Sequence, residues 1–198
     1  MTPTIGSPAP QFEAPSTAGV IKLVDCRGSW VVLFSYAADF TAVCSSELDA
    51  FADRFDDFES RQVRPIGVSA DSIYAHTVWA HAYEGRKGRL FPFPLVSDAG
   101  VGPGTSGTVG AMYGFAADRC TFIIDPNQEV RAVLRYPLAV GRSVDEILRV
   151  VDALQVVDER KLATPANWRP GDAYLPSLRS APSAVANYLA SISVAKQG

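Results

Sequence analysis

Three cysteines occur in this 198-residue chain, and Cys44 stands where a thiol could do chemistry. It follows an apolar run, Trp30 to Tyr36, with the length and β-branched, aromatic make-up of a buried strand. A short loop, Ala37-Ala38-Asp39-Phe40-Thr41-Ala42-Val43, separates the two. Cys44 then opens a helical pattern in which Leu48, Phe51, Ala52, Phe55 and Phe58 share one face, while Asp49, Asp53, Arg54, Asp56 and Asp57 fall mostly elsewhere. Thr41 can cap this helix, and Ser46 with Asp49 offers a competing cap; either leaves Cys44 at or just before the first turn. The thiolate is the nucleophile, and an ordinary thiol of pKa about 8.5 is only about 3% ionised at neutral pH. A helix N-terminus favours the anion by roughly 0.3–1 kcal/mol, less than one pKa unit. A reactive Cys44 therefore needs a cation as well, an arginine brought from elsewhere in the chain. Without one, it is a small buried apolar side chain.

The other candidates carry less. Cys26 falls in a turn at a strand end, and Cys120 lies inside an apolar strand, where burial is expected. No C-x-x-C is present, and the two histidines, His76 and His81, project about 140° apart on a helix. They read as ordinary helix residues that share no metal, so neither a metal nor a cofactor is expected. In a reducing compartment all three cysteines are free thiols. Gly102 to Gly107 matches G-x-G-x-x-G, but no strong strand precedes it and no long amphipathic helix follows. It reads as a mobile loop or a glycine-rich helix before Met112.

Elements that could position Cys44 alternate along the chain. Prolines 3, 8, 10 and 15 make residues 1–19 an extended lead-in. Strands are expected at Val20–Asp25, Trp30–Tyr36, Val63–Ala70 with Pro65 near its start, and Leu95–Ser97. A hairpin should join Cys120–Ile124 to Val130–Leu134. Asp71 and Ser72 cap a helix to about Tyr83, and Gly85 to Arg89 reads as a solvated basic turn. Ser143 to Glu146 is a capping box for a further helix. This alternation points to an α/β fold with a helix-flanked sheet. A core domain is expected over residues 1–160, with a C-terminal arm over 161–198 that carries Trp168 and ends in a helix from Ser183 to Ser193. Trp168 wants apolar company from its own domain or a second subunit. Net charge is −3 with no basic block, which argues against nucleic acid. No apolar run approaches the ~20 residues of a membrane span. The first residues, Met1-Thr2-Pro3-Thr4-Ile5, show no secretory pattern, so a cytoplasmic address is expected.

Taken together, these motifs resemble the peroxiredoxins, and within them the one-cysteine branch. The family loop P-x-x-x-T-x-x-C, often P-x-D-F-T-x-V-C, reads Ala37 to Cys44 here, followed by Ser45-Ser46-Glu47. Arg119 to Pro126, Tyr136 to Arg142, Asp145 to Arg149 and Ala163 to Trp168 extend the similarity over nearly the whole chain, in order. The resemblance implies a thioredoxin-like α/β fold, a central mixed sheet flanked by helices with a C-terminal extension, and homodimers or higher homo-oligomers. It implies a thiol-dependent peroxidase acting on hydrogen peroxide and organic hydroperoxides, with Cys44 oxidised to a sulfenic acid and recycled by an external thiol. Thr41 would hydrogen-bond thiolate and peroxide, and Arg119 would be the missing cation. Glu47 would orient an arginine, and Arg142 matches a second arginine of the branch. The sequence departs from the family at Ala37, where proline is usual, at Tyr36, where the branch has histidine, and at Ala42, where a further proline is common. Ala37 keeps a second reading open: a peroxide sensor, or a degenerate binding protein. General disulfide exchange is disfavoured by the missing C-x-x-C. Arg27-Gly28-Ser29-Trp30-Val31 lacks the flanking glycines of the lipase-like stretch found in some members, so that activity is not carried over.

Overall fold

The computed structural model describes residues 2–100, 107–115, 118–177, 182–183 and 185–188. Seven strands form one mixed sheet: β1 (Glu13–Ser16), β2 (Gly19–Lys22), β3 (Trp30–Ser35), β4 (Val63–Ser69), β5 (Leu95–Ser97), β6 (Asp118–Ile124) and β7 (Val130–Pro137). Their order is β2-β1-β5-β4-β3-β6-β7. β3 pairs in parallel with β4 and antiparallel with β6, so the strand that delivers the Cys44 loop lies inside the sheet. All six of its residues are buried, as expected of a strand covered on both faces.

Because side chains alternate along a strand, Val31 and Leu33 join a core with Ile66, Val68, Phe122 and Ile124. That core also takes Val109 and Tyr113 from α4 (Thr108–Tyr113). The opposite face presents Phe34, whose ring stacks on Phe51 of α1 (Ala42–Asp53) at 4.1 Å between centroids. Phe51 in turn stacks on Phe58 of α2 (Phe55–Ser60) at 5.6 Å. Helices thus cover both faces, as an α/β layer fold requires. On β4, a Cβ at Gly67 would lie 2.9 Å from Leu95 Cδ2 and 3.2 Å from Phe34 Cζ, so glycine is required there.

Pro65 is the third residue of β4, which is an interior strand. The Gly67 N–H donates toward the β5 side, to the Pro94 carbonyl, and Pro65, two residues earlier, faces the same way. Pairing with β5 begins only at Gly67, so the missing donor faces no partner strand.

Several expectations are corrected. The lead-in contains a strand, β1, because Pro15 sits opposite Val20 in a short hairpin. The strand expected at Val20–Asp25 stops at Lys22, and Leu23–Cys26 forms a 3-10 turn that buries Leu23 and Cys26. The helix after Cys44 breaks at Arg54, leaving α1 and α2. The helix after Asp71, α3 (Ile73–Lys87), runs past Tyr83 to a left-handed Gly88, with Ser72 Oγ accepting from Ala75 N at the other end. Three residues of the supposed solvated turn therefore belong to α3. Arg86 binds Asp49, and Lys87 and Arg89 bind Asp53, so these cations tie α3 to α1. The glycine-rich helix before Met112 exists as α4, because the Asp98 carboxylate accepts hydrogen bonds from Gly107 N, Val109 N and Gly110 N. Residues 102–106 of that motif lie outside the described residues.

The chain divides into two compact units, Met1–Val144 and Asp145–Gly198. The second holds nearly all of α5 (Val144–Arg160), which begins directly after Ser143 as its capping box implies. In the arm, Ala163 bridges Leu175, and buried Trp168 donates its indole N–H to the Asp172 carbonyl beside the ring of Tyr174. Trp168 thus finds a ring partner within its own unit. Residues 182–183 and 185–188 are helical; 184 and 189–193 of the expected terminal helix lie outside the described residues.

Candidate active site

Cys44 sits in the first turn of α1, and its side chain is fully buried. Thr41 takes the N-cap position, but its side chain makes no capping bond. Its hydroxyl instead donates to the Ala38 carbonyl at 3.0 Å, closing the loop on itself. Phe40, just before it, adopts a left-handed backbone with φ of 59°.

Arg119 reaches the sulfur from β6, 75 residues along the chain, with Nη1 3.3 Å from Cys44 Sγ. Its remaining hydrogen bonds fix this aim. Nε and Nη2 donate to the Leu138 carbonyl at 2.8 and 2.6 Å, and Nη1 also donates to Glu47 Oε2 at 2.8 Å. Glu47, one turn beyond Cys44 on α1, is buried. Its Oε1 accepts from the backbone N–H and Nε of Arg142, and its Oε2 from Nη2 of Arg142 at 2.7 Å. Arg142 is held in turn by the Ser35 carbonyl at 2.8 Å and lies over the Phe34 ring at 4.9 Å. The five expected site residues therefore gather in one place: Cys44, Thr41 and Glu47 from the loop and α1, Arg119 from β6, and Arg142 from the segment after β7.

The charges of this cluster decide the state of the thiol. Two buried guanidinium groups face one carboxylate, an excess of one positive charge that ionisation of Cys44 cancels. Burial is the largest single influence on Cys44 and pushes its pKa up. The Ala38 backbone, the Thr41 hydroxyl, Arg119 and the Ala37 backbone together outweigh it and hold the thiol below its ordinary value. The other thiols go the opposite way. Burial raises Cys26 despite Arg64 nearby, and burial raises Cys120 to about 11. All three cysteines are unbridged.

One group of buried polar residues has no forerunner in the sequence reading. His76 is not an ordinary helix residue; it is fully buried beneath the loop. Its Nδ1 lies 2.7 Å from Asp39 Oδ2, and the Tyr36 hydroxyl is 3.0 Å from Asp39 Oδ1 and 3.1 Å from Nδ1. His81, by contrast, is exposed, as expected. Asp39, Asp71 and His76 bring one possible ligand atom each within 4.8 Å of one another, and these atoms are already engaged in hydrogen bonds with neighbouring groups.

A buried thiolate paired with a guanidinium, on the first helix after a central strand, is the nucleophile of a thiol-based oxidoreductase. Comparison with known proteins narrows that class. The AhpC/TSA family model matches residues 5–133, and that of the C-terminal domain of 1-Cys peroxiredoxin matches residues 153–191. Peroxiredoxin 2 of Caldanaerobacter subterraneus is 44% identical over 177 residues, covering 85% of this chain and 77% of its own. Peroxiredoxin 2 of Thermoplasma acidophilum is 42% identical, covering 91% of this chain and 89% of its own. Among solved structures, the reduced 2-Cys peroxiredoxin of Plasmodium vivax superposes with a TM-score of 0.82 at 34% identity, covering 95% of this chain and all of that one. A yeast mitochondrial 1-Cys peroxiredoxin, described as resolved through glutathione/thioredoxin systems, gives 0.77 at 35% identity, covering 87% and 86% of the two chains. The chain belongs to the peroxiredoxin family, with its thioredoxin-like fold, and is a thiol-dependent peroxidase.

Proposed function

We propose that Cys44 is the peroxidatic residue, reducing hydrogen peroxide and organic hydroperoxides through a sulfenic acid. The observation that supports this most is the 3.3 Å approach of Arg119 Nη1 to Sγ, inside a cluster left positive until the thiol ionises. In the first step the thiolate attacks the terminal peroxide oxygen. An S–O bond forms, the O–O bond breaks, and sulfur gives up two electrons. The leaving alkoxide or hydroxide gains a proton from solvent and departs as alcohol or water. Charge builds on that leaving oxygen, so a fixed guanidinium beside the reacting atoms stabilises the transition state more than the ground state. Glu47 and Arg142 act as positioning residues, fixing the fork of Arg119. Thr41, at the loop edge, offers its hydroxyl oxygen to the peroxide O–H while its proton is engaged by Ala38.

An external thiol then attacks the sulfenic sulfur, releasing water and forming a mixed disulfide. A second thiol frees Cys44. Cys26 and Cys120 are poor internal resolvers, since burial keeps both protonated. The glutathione/thioredoxin systems ascribed to the yeast relative indicate the class of reductant. We also assign a homodimeric or higher homo-oligomeric state, supported by exposed Phe40, Tyr74 and Val78, which a second copy would cover.

The test is stopped-flow mixing of reduced protein with peroxide, beside Cys44→Ser. Fast oxidation that requires Cys44, with turnover on added thiol, is the expected result. Consumption no faster than by free cysteine would overturn it.

A further inference from the structure

We propose that His76 is a positioning residue for the peroxidatic thiol, acting through a buried anchor with Asp39 and Tyr36 that holds the Cys44 loop in its reactive shape. This rests on Cys44 being the reactive residue.

Hydrogen-bond bookkeeping defines the anchor. His76 Nε2 faces the Val96 carbonyl at 3.2 Å, an acceptor only, so Nε2 carries a proton. On the other side, Nδ1 and Asp39 Oδ2 stand 2.7 Å apart, and that contact needs a second proton between them. The Asp39–His76 pair is therefore net neutral, which makes its complete burial tolerable. The Tyr36 hydroxyl, from the end of β3, closes the cluster on Asp39 Oδ1.

The anchor bears on the loop through Asp39. The Asp39 side chain is clamped to α3 by His76. Its backbone N–H donates to Asp71 Oδ2 at 2.6 Å, and Asp71 is in turn bound by Ser69 at the end of β4 and Ser97 at the end of β5. One loop residue is thus fastened to a helix and two strand ends. The residue that follows, Phe40, holds a left-handed φ that a bulky side chain adopts only when its surroundings enforce it. Thr41 and the helix start come next. On the other side of Asp39, Ala37 leaves its own φ unfixed. The groups that bear on Sγ besides Arg119 are Ala37, Ala38 and Thr41, all within this anchored loop. Arg119, Glu47 and Arg142 hold their geometry without it. Releasing the anchor therefore removes the loop's share of thiolate stabilisation while the arginine cluster stays in place.

Two variants test this. His76→Gln keeps a donor for Val96 but breaks the pairing with Asp39; Tyr36→Phe removes one hydroxyl. The readouts are the Cys44 pKa, from the pH profile of iodoacetamide alkylation, the rate of peroxide oxidation, and the melting temperature. His76→Gln is expected to raise the Cys44 pKa by about one unit and to slow oxidation about tenfold at neutral pH. Tyr36→Phe should shift both in the same direction by a smaller amount, and decides the matter if His76→Gln does not fold. A lower melting temperature with unchanged pKa and rate would reduce the cluster to a purely structural role and overturn the proposal, as would faster oxidation. If the unaltered protein itself failed to react with peroxide, the peroxidase reading would fall, while the alkylation profiles would still report on the anchor.

Discussion

Replacing Arg119 with methionine keeps the buried stem and removes the charge nearest the sulfur. A full positive charge 3.3 Å from Sγ interacts with the thiolate by about 5 kcal/mol at an effective dielectric of 20, and by about 1.3 kcal/mol in the fully screened limit. These bounds correspond to roughly one to nearly four pKa units. The Glu47 carboxylate, shared with Arg142, would remain and would no longer leave a positive excess for the thiolate to cancel. Burial, already the largest influence on this thiol, would then dominate and carry its pKa above the ordinary value. At neutral pH the thiolate fraction should fall at least tenfold. Loss of the donor facing the leaving oxygen should remove a further factor of about 10²–10³ from the rate. The two effects separate in one assay. Stopped-flow oxidation by peroxide, followed across pH, gives the pKa from the inflection and the transition-state loss from the alkaline plateau. A variant with the inflection and plateau of the unaltered protein would refute the assignment of Arg119.

Other consequences follow from the same geometry. Glu47→Gln should slow peroxide oxidation by tenfold or more, because Arg119 and Arg142 lose the carboxylate that separates and aims them; the rate measured with Arg119 intact checks this. Alkylation mapped by mass spectrometry should label Cys44 first at neutral pH, with Cys120 resisting until the pH approaches about 11. The pKa of Cys44 is depressed in the folded protein, so its contribution to stability is present above about pH 8.5 and is lost as pH falls through the folded value. The stability gap between the reduced protein and Cys44→Ser should therefore widen from acid to alkaline pH, as read by denaturant melts. Phe51→Ala should cost about 3–5 kcal/mol, because it empties a ring stacked between Phe34 and Phe58.

Much of the site is legible in the sequence because its parts are chemically specific. A strand, a short loop and a thiol at a helix start can be read within a single stretch, and Arg119 opens a strand at a recognisable position. The angle at which Arg119 arrives is not legible, since it depends on the antiparallel pairing of β3 with β6 and on a carbonyl at Leu138. His76 is missed for a related reason. Its helix position looks ordinary, and its partners Asp39 and Tyr36 lie 37 and 40 residues earlier, brought near only by folding. The segment from Gly85 to Arg89 misleads in the other direction. Its glycines and charges have the composition of a turn, but Asp49 and Asp53 on α1 supply counter-charges that let the helix continue to Lys87. The short strand β1 is hidden by Pro15, which an edge pairing tolerates and a local propensity does not anticipate.

The most direct measurement is the acid–base titration of Cys44 in the unaltered, reduced protein, followed by thiolate absorbance against Cys44→Ser. A pKa clearly below the ordinary value of about 8.5 is expected, since the Arg119 cluster and the loop together outweigh burial. A value at or above it would show that the guanidinium beside the sulfur does not activate it.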